Sequence, residues 1–94
     1  MYAAVRRYEG VTDPTANRRQ VMEEFVPLLK DIPGFVAYYE IDAGNGVVAT
    51  ISVFEDQAGE EASTERAAKW VRENEASIAP NPPQVTAGEV VASG

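Results

Sequence analysis

The run Val47 to Phe54, VVATISVF, alternates Val47, Ala49, Ile51 and Val53 on one side with Thr50, Ser52 and Phe54 on the other. Successive strand residues point to opposite faces, so neither face of this segment is plainly solvent-like. Such a strand belongs inside a sheet covered on both sides. A chain of 94 residues has room for one domain, residues 1–94, with one modest core. Its two helices can cover one sheet face only. The second cover must therefore come from another chain.

The rest of the sequence supplies the frame for that strand. Tyr2 to Glu9 is rich in strand-favouring side chains and closes at Gly10. Thr12-Asp13-Pro14 is a polar cap followed by proline at the first helical position, where its missing N–H costs nothing. Val21, Met22, Phe25, Val26, Leu29 and Ile32 then recur at helical spacing and predict an apolar stripe facing a sheet. Pro27 falls inside this stripe and predicts a kink rather than an end. Pro33-Gly34 forces a turn into Phe35 to Asp42, with Phe35, Ala37, Tyr39 and Ile41 expected on one face and Val36, Tyr38 and Glu40 on the other. Ala43-Gly44-Asn45-Gly46 suits a hairpin connection. Glu55-Asp56 opens a second helix, whose inner positions are Ala67, Trp70, Val71 and Ile78 and whose outer face carries Glu65, Lys69 and Glu73. Pro80-Asn81-Pro82-Pro83 reads as an extended connector before a last strand, Gln84 to Ala92, in which Gly88 suggests a bulge or a close approach. The order is β-α-β-β-α-β, the ferredoxin-like α+β arrangement.

Charge and composition then narrow the chemistry. The net charge is -7, and residues 31–94 hold eleven acidic against three basic side chains. Phosphate backbones and anionic lipids need clustered positive charge, so a nucleic-acid partner is not expected. No apolar run approaches the roughly 18 residues of a membrane helix, no signal-peptide layout is present, and a cytoplasmic location is the expectation. The chain has neither cysteine nor histidine. Thiolate nucleophiles, imidazole bases and His/Cys metal sites are thereby excluded, and no metal or cofactor is expected.

The residues able to carry function are few. Arg6 and Arg7 alternate on strand one, so one points toward the helices and is partly buried, and the other points toward the partner sheet or solvent. The buried one either pairs with Glu40 or Glu89 or faces an anionic group or enolate of a substrate. Tyr2, Tyr8, Tyr38 and Tyr39 can present hydroxyls to a phenolic ligand or pack in a dimer interface. Trp70 either lines a pocket or anchors the core. Asn74, among the inner positions of the second helix, either hydrogen-bonds a carbonyl in a pocket or caps its own helix. The doublets Glu23-Glu24 and Glu60-Glu61 read as solvated surface, since adjacent helical residues diverge.

Pro33-Gly34-Phe35 leading to Tyr38, then Val53-Phe54-Glu55-Asp56, then Ser63, Ala67, Ala68 and Trp70 together resemble the antibiotic-biosynthesis-monooxygenase family over nearly the whole chain. The resemblance implies a four-stranded antiparallel sheet with two helices on one face, and a homodimer that packs sheet to sheet into an α/β barrel. It also implies, as one option, a cofactor-independent monooxygenase acting on a small aromatic or enolisable substrate. Arg6, Tyr38 and Asn74 would then be the catalytic candidates, and Tyr8, Trp70 and Arg7 would line the ligand pocket. The haem-degrading branch of the superfamily resembles an asparagine-tryptophan-histidine set, and this chain departs from it in having no histidine. The alternative is a non-catalytic dimer that binds a small ligand or serves a structural role, so whether the chain is an enzyme stays open at this point.

Overall fold

The computed structural model of the chain describes residues 1–78 and 83–94, the side chains of residues 74–78 excepted. Strand β1 spans Tyr2–Tyr8 and is followed by α1, Pro14–Gln20. Asp13 caps α1, its side chain accepting from the Ala16 N–H at 3.0 Å, with Pro14 in the first turn. The helical path runs on through a π-helical stretch, Val21–Phe25, into α2, Val26–Lys30. In the wide turn the Val26 N–H reaches back to the Val21 carbonyl. A proline ring clashes with the carbonyl of the fourth residue before it, and a widened turn ahead of Pro27 relieves that contact. The expected kink thus takes the form of a π-helical insertion. Met22, expected on the buried stripe, is 59% exposed, because the wide turn rotates it to the edge of the helix.

Strand β2, Phe35–Gly44, and β3, Val47–Phe54, form a hairpin in which Asn45 and Gly46 both take positive φ, +54° and +77°. Two such residues match the twist of paired strands. Helix α3, Gln57–Ile78, and β4, Gln84–Glu89, complete the chain. The sheet order is β2-β3-β1-β4, with every neighbouring pair antiparallel. This is the ferredoxin-like α+β fold with its helices on one face. The core lies between them, built from Tyr8, Val11, Val21, Phe25, Val26, Leu29, Ile32, Val48, Phe54, Ala67 and Trp70.

Three expectations about the strands need correction. Register shifts between Phe35 and Ala37, where two β2 residues oppose one step of β3. This bulge places Phe35 beside Phe54 on the helix side with Tyr38 and Glu40, and leaves Ala37, Tyr39 and Ile41 on the other face. Strand β4 ends at Glu89 rather than Ala92, and Gly88 pairs regularly with Ala3 with nothing near its missing Cβ. The connector at residues 80–82 and the side chain of Ile78 lie outside the described residues. Among the described residues no helix is long and apolar enough to cross a membrane.

The approach of α3 to the sheet depends on Gly59, where an added Cβ would stand 2.9 Å from the Phe54 ring. Phe54 is fully buried and cannot swing away. Alanine normally stabilises a helix interior by about 1 kcal/mol relative to glycine. At this position overpacking outweighs that gain, and Gly59→Ala is expected to lower stability by about 1–3 kcal/mol in urea unfolding. An increase in stability would contradict the contact.

Candidate functional site

On the helix-facing side of the sheet, Arg6 of β1, Thr50 of β3 and Glu40 of β2 stand in one row, because Thr50 is the register partner of both others. Strands lie about 4.8 Å apart, so the ends of this row are about 10 Å apart at Cα. The row is the floor of a cavity. Its walls are Tyr8 and Tyr38 from the sheet, Asn17 and Phe25 from the first helical segment, and Trp70 and Val71 from α3. Trp70 stacks on Phe25 with ring centroids 5.0 Å apart, and Tyr38 meets the same ring edge-on at 5.9 Å. Trp70 is therefore a core residue and a cavity wall at once.

The enclosed space amounts to about 20 Å³, room for a single water. Arg6, Tyr8, Ala67 and Val71 also border a second cleft of about 140 Å³ under α3. Thr64, Pro83 and Val85 line its other side. Val85 is the register partner of Arg6 and is half exposed, so α3 leaves the β4 side of the sheet uncovered.

Arg6 is 4% exposed. Of the two alternatives for this arginine, the ion pair with Glu40 or Glu89 is not the one the structure shows. Glu89 lies opposite Tyr2, four residues or about 13 Å along the strand from Arg6, and accepts from the Tyr2 hydroxyl. Among the described residues the guanidinium instead donates to the Ser52 hydroxyl at 3.3 Å and the Thr64 hydroxyl at 2.8 Å. Thr64 in turn donates to the Glu60 carboxylate at 2.8 Å. Glu60 is buried rather than solvated, because 60, 64, 67 and 71 form the face of α3 turned to the sheet. The buried cation thus meets a carboxylate only at second hand, through one hydroxyl.

Arg7, expected in the pocket, points to the opposite face, where it is exposed and pairs with Glu9. The side chain of Asn74 lies outside the described residues. Arg6, Tyr8, Tyr38 and Trp70 come together. Glu40, Thr50, Asn17, Glu60 and Thr64 complete the polar set and were not singled out as site residues, although register from Arg6 through Thr50 to Glu40 follows once the strand order is known.

Burial sets the protonation states. It raises the Tyr8 hydroxyl pKa above its ordinary value, an effect the Arg6 charge offsets in part and Glu40 reinforces. It raises Tyr38 further, with Glu40 adding to the rise and a hydrogen bond with Thr50 opposing it. Both tyrosines therefore stay neutral donors. Burial also raises Glu40, opposed by the Arg18 charge and reinforced by Asp42. Its Oε1 is buried and without a hydrogen-bond partner among the described residues. Arginine does not deprotonate in proteins. Glu40 is thus the one described group on the cavity wall suited to accept a proton at neutral pH.

No protein-family model matches the chain, and no curated protein matches it. Solved structures do. A protein of unknown function from Nitrosomonas europaea superposes with a TM-score of 0.74 at 23% identity, over 99% of this chain and 91% of that one. The ActVA-Orf6 monooxygenase of Streptomyces coelicolor, solved with nanaomycin D, gives 0.70 at 15%, over 98% and 92%. An antibiotic biosynthesis monooxygenase gives 0.67 at 19%, over 98% and 100%. The chain has the antibiotic-biosynthesis-monooxygenase-like form of the ferredoxin fold.

The Glu40 shift has a consequence for stability. A carboxyl raised by burial binds its proton more tightly folded than unfolded, so its contribution is fully present below the ordinary carboxylate pKa and is lost as pH rises through the folded value. Glu40→Gln, which keeps the shape without the charge, is expected to be more stable than wild type at pH 7. The gap between their urea midpoints should close as pH falls below about 4. A gap that widens on acidification would contradict this environment.

Proposed function

We propose that the protein is a cofactor-independent monooxygenase of the antibiotic-biosynthesis type, working on a small phenolic or enolisable substrate as a homodimer. The observation that carries this reading is the buried guanidinium of Arg6, held by Ser52 and Thr64 and bordering both cavity and cleft. A desolvated cation stabilises an enolate or phenolate far more than a solvated one does. Such an anion is electron-rich enough to react with dioxygen directly. Tyr8 and Tyr38, kept protonated by burial, supply hydrogen bonds to the developing anion, and the Phe25-Trp70 stack limits water. Entry requires the cavity and the cleft under α3 to open into one another, since the closed space holds about one water.

That narrow space is also the specific observation favouring a second reading, a non-catalytic ligand-binding dimer. Oxygen uptake separates the two. With naphthols and hydroquinones in the presence of a chelator, the first reading expects uptake by wild type and a loss of about 100-fold or more in Arg6→Met. Absence of uptake across the panel, with binding retained, would favour the second.

Both readings rest on a pair of chains. Val5, Tyr39 and Ile41 are 40%, 60% and 49% exposed on the face away from the helices. Between them run Val47, Ala49, Ile51 and Val53, half-buried in an interior strand with no cover. A contiguous apolar surface of this kind marks an association site. The expected solution mass by light scattering is twice the 10.2 kDa of one chain, and Ile51→Lys is expected to give monomer. A monomeric wild type at micromolar concentration would remove the dimer from the account.

A further inference from the structure

We propose that Glu40 is the general base of this site, its buried Oε1 removing a proton from the carbon next to a substrate carbonyl whose oxygen lies against the Arg6 guanidinium. This inference rests on the pocket reading above and identifies the substrate class as a small, apolar-flanked enolisable ketone. Three placements support it. Glu40 and Arg6 occupy the two ends of one row across β2, β3 and β1, both turned to the cavity. Their Cα separation is about 10 Å, and the space between the side chains, which holds about one water when closed, admits a carbonyl and its neighbouring carbon once the cavity opens into the cleft under α3. The Oε1 atom is withdrawn from solvent and accepts no hydrogen bond among the described residues, so its basicity is not spent on a partner.

The groups facing Glu40 fit the role. Arg18 of α1 bears on it, but also pairs with Asp42 at 3.5 Å, and Asp42 bears on Glu40 with the opposite sign. Tyr8 and Tyr38 remain donors and cannot compete for the proton. Thr50, between the two ends of the row, hydrogen-bonds with Tyr38. The step balances without a further reagent. The C–H bond breaks, its proton goes to Oε1, and the electron pair moves onto the carbonyl oxygen as an enolate facing Arg6. Return of a proton from Glu40 to carbon reverses it.

Proton removal can be read without the oxygenation step. In deuterium oxide under nitrogen, with 2-indanone as probe, wild type is expected to catalyse exchange of the α-protons seen by NMR. Glu40→Gln is expected to slow exchange by about 100-fold or more while still binding the probe. Glu40→Asp should recover part of the rate. Loss of folding does not confound the result, because the glutamine variant removes the charge from a half-buried side chain whose Oε1 has no partner among the described residues. Exchange at the wild-type rate in Glu40→Gln, or binding by wild type without exchange, would overturn the assignment of Glu40 and leave the pocket in place. Failure of wild type to bind 2-indanone by calorimetry would overturn the pocket reading, and the base with it.

Discussion

The fold is organised around a charge it has to bury. Moving a guanidinium out of water costs several kcal/mol even after the protein relaxes, and recovering that cost needs well-placed hydrogen bonds. Arg6 obtains them from two different elements, Ser52 on the neighbouring strand and Thr64 on the helix above. The packing of α3 on the sheet and the satisfaction of the cation are therefore one requirement. Glu60 joins it through Thr64, which accepts from arginine and donates to carboxylate with a single hydroxyl. Helix and strand are held in register by this chain of polar contacts as well as by the apolar cluster beside it.

That arrangement leaves Arg6 with partners on only part of its surroundings. Hydroxyls satisfy hydrogen bonds without cancelling charge at contact distance, which keeps the guanidinium's field directed into the cavity. Glu40 is the complement at the far end of the row, a carboxylate with one buried oxygen unpartnered among the described residues. The bulge at Phe35–Ala37 adds Phe35 to this face: without it, the alternation of β2 would carry Phe35 to the outer face while Tyr38 and Glu40 faced inward. Beyond the bulge, plain alternation keeps Tyr39 and Ile41 outward, where they extend the apolar surface of β3. The irregularity thus serves the core, and regular alternation serves the uncovered face.

Much of this was legible in the residues. The alternation of VVATISVF, the Asp13-Pro14 cap and the Gly44-Asn45-Gly46 turn act locally, through side-chain direction, capping and positive φ, and local chemistry is what a sequence states most directly. The four-stranded sheet and the burial of one strand-one arginine followed from the same rules. The bulge was not legible, because an extra residue in one strand depends on its pairing with another. Glu60 was misread for a related reason: a helix shows which residues share a face, but not which strand that face meets. The partners of Arg6 are hydroxyls on elements 46 and 58 residues away, and serine and threonine carry no pattern that announces such contacts. Met22 was misplaced because a π-helical turn breaks the 3.6-residue period on which the stripe was read.

The central claim is that Arg6 and Glu40 frame one ligand site between the helices and the sheet. A crystal structure of the protein grown with 4-cyanophenol, a small analogue of the enolate, tests it most directly. The account predicts the phenolic oxygen within hydrogen-bonding distance of the Arg6 guanidinium, the ring lying toward Glu40 against Trp70 and Val71, and the cavity joined to the cleft under α3. Density for the probe elsewhere on the molecule, with the space between Arg6 and Glu40 still closed, would contradict it.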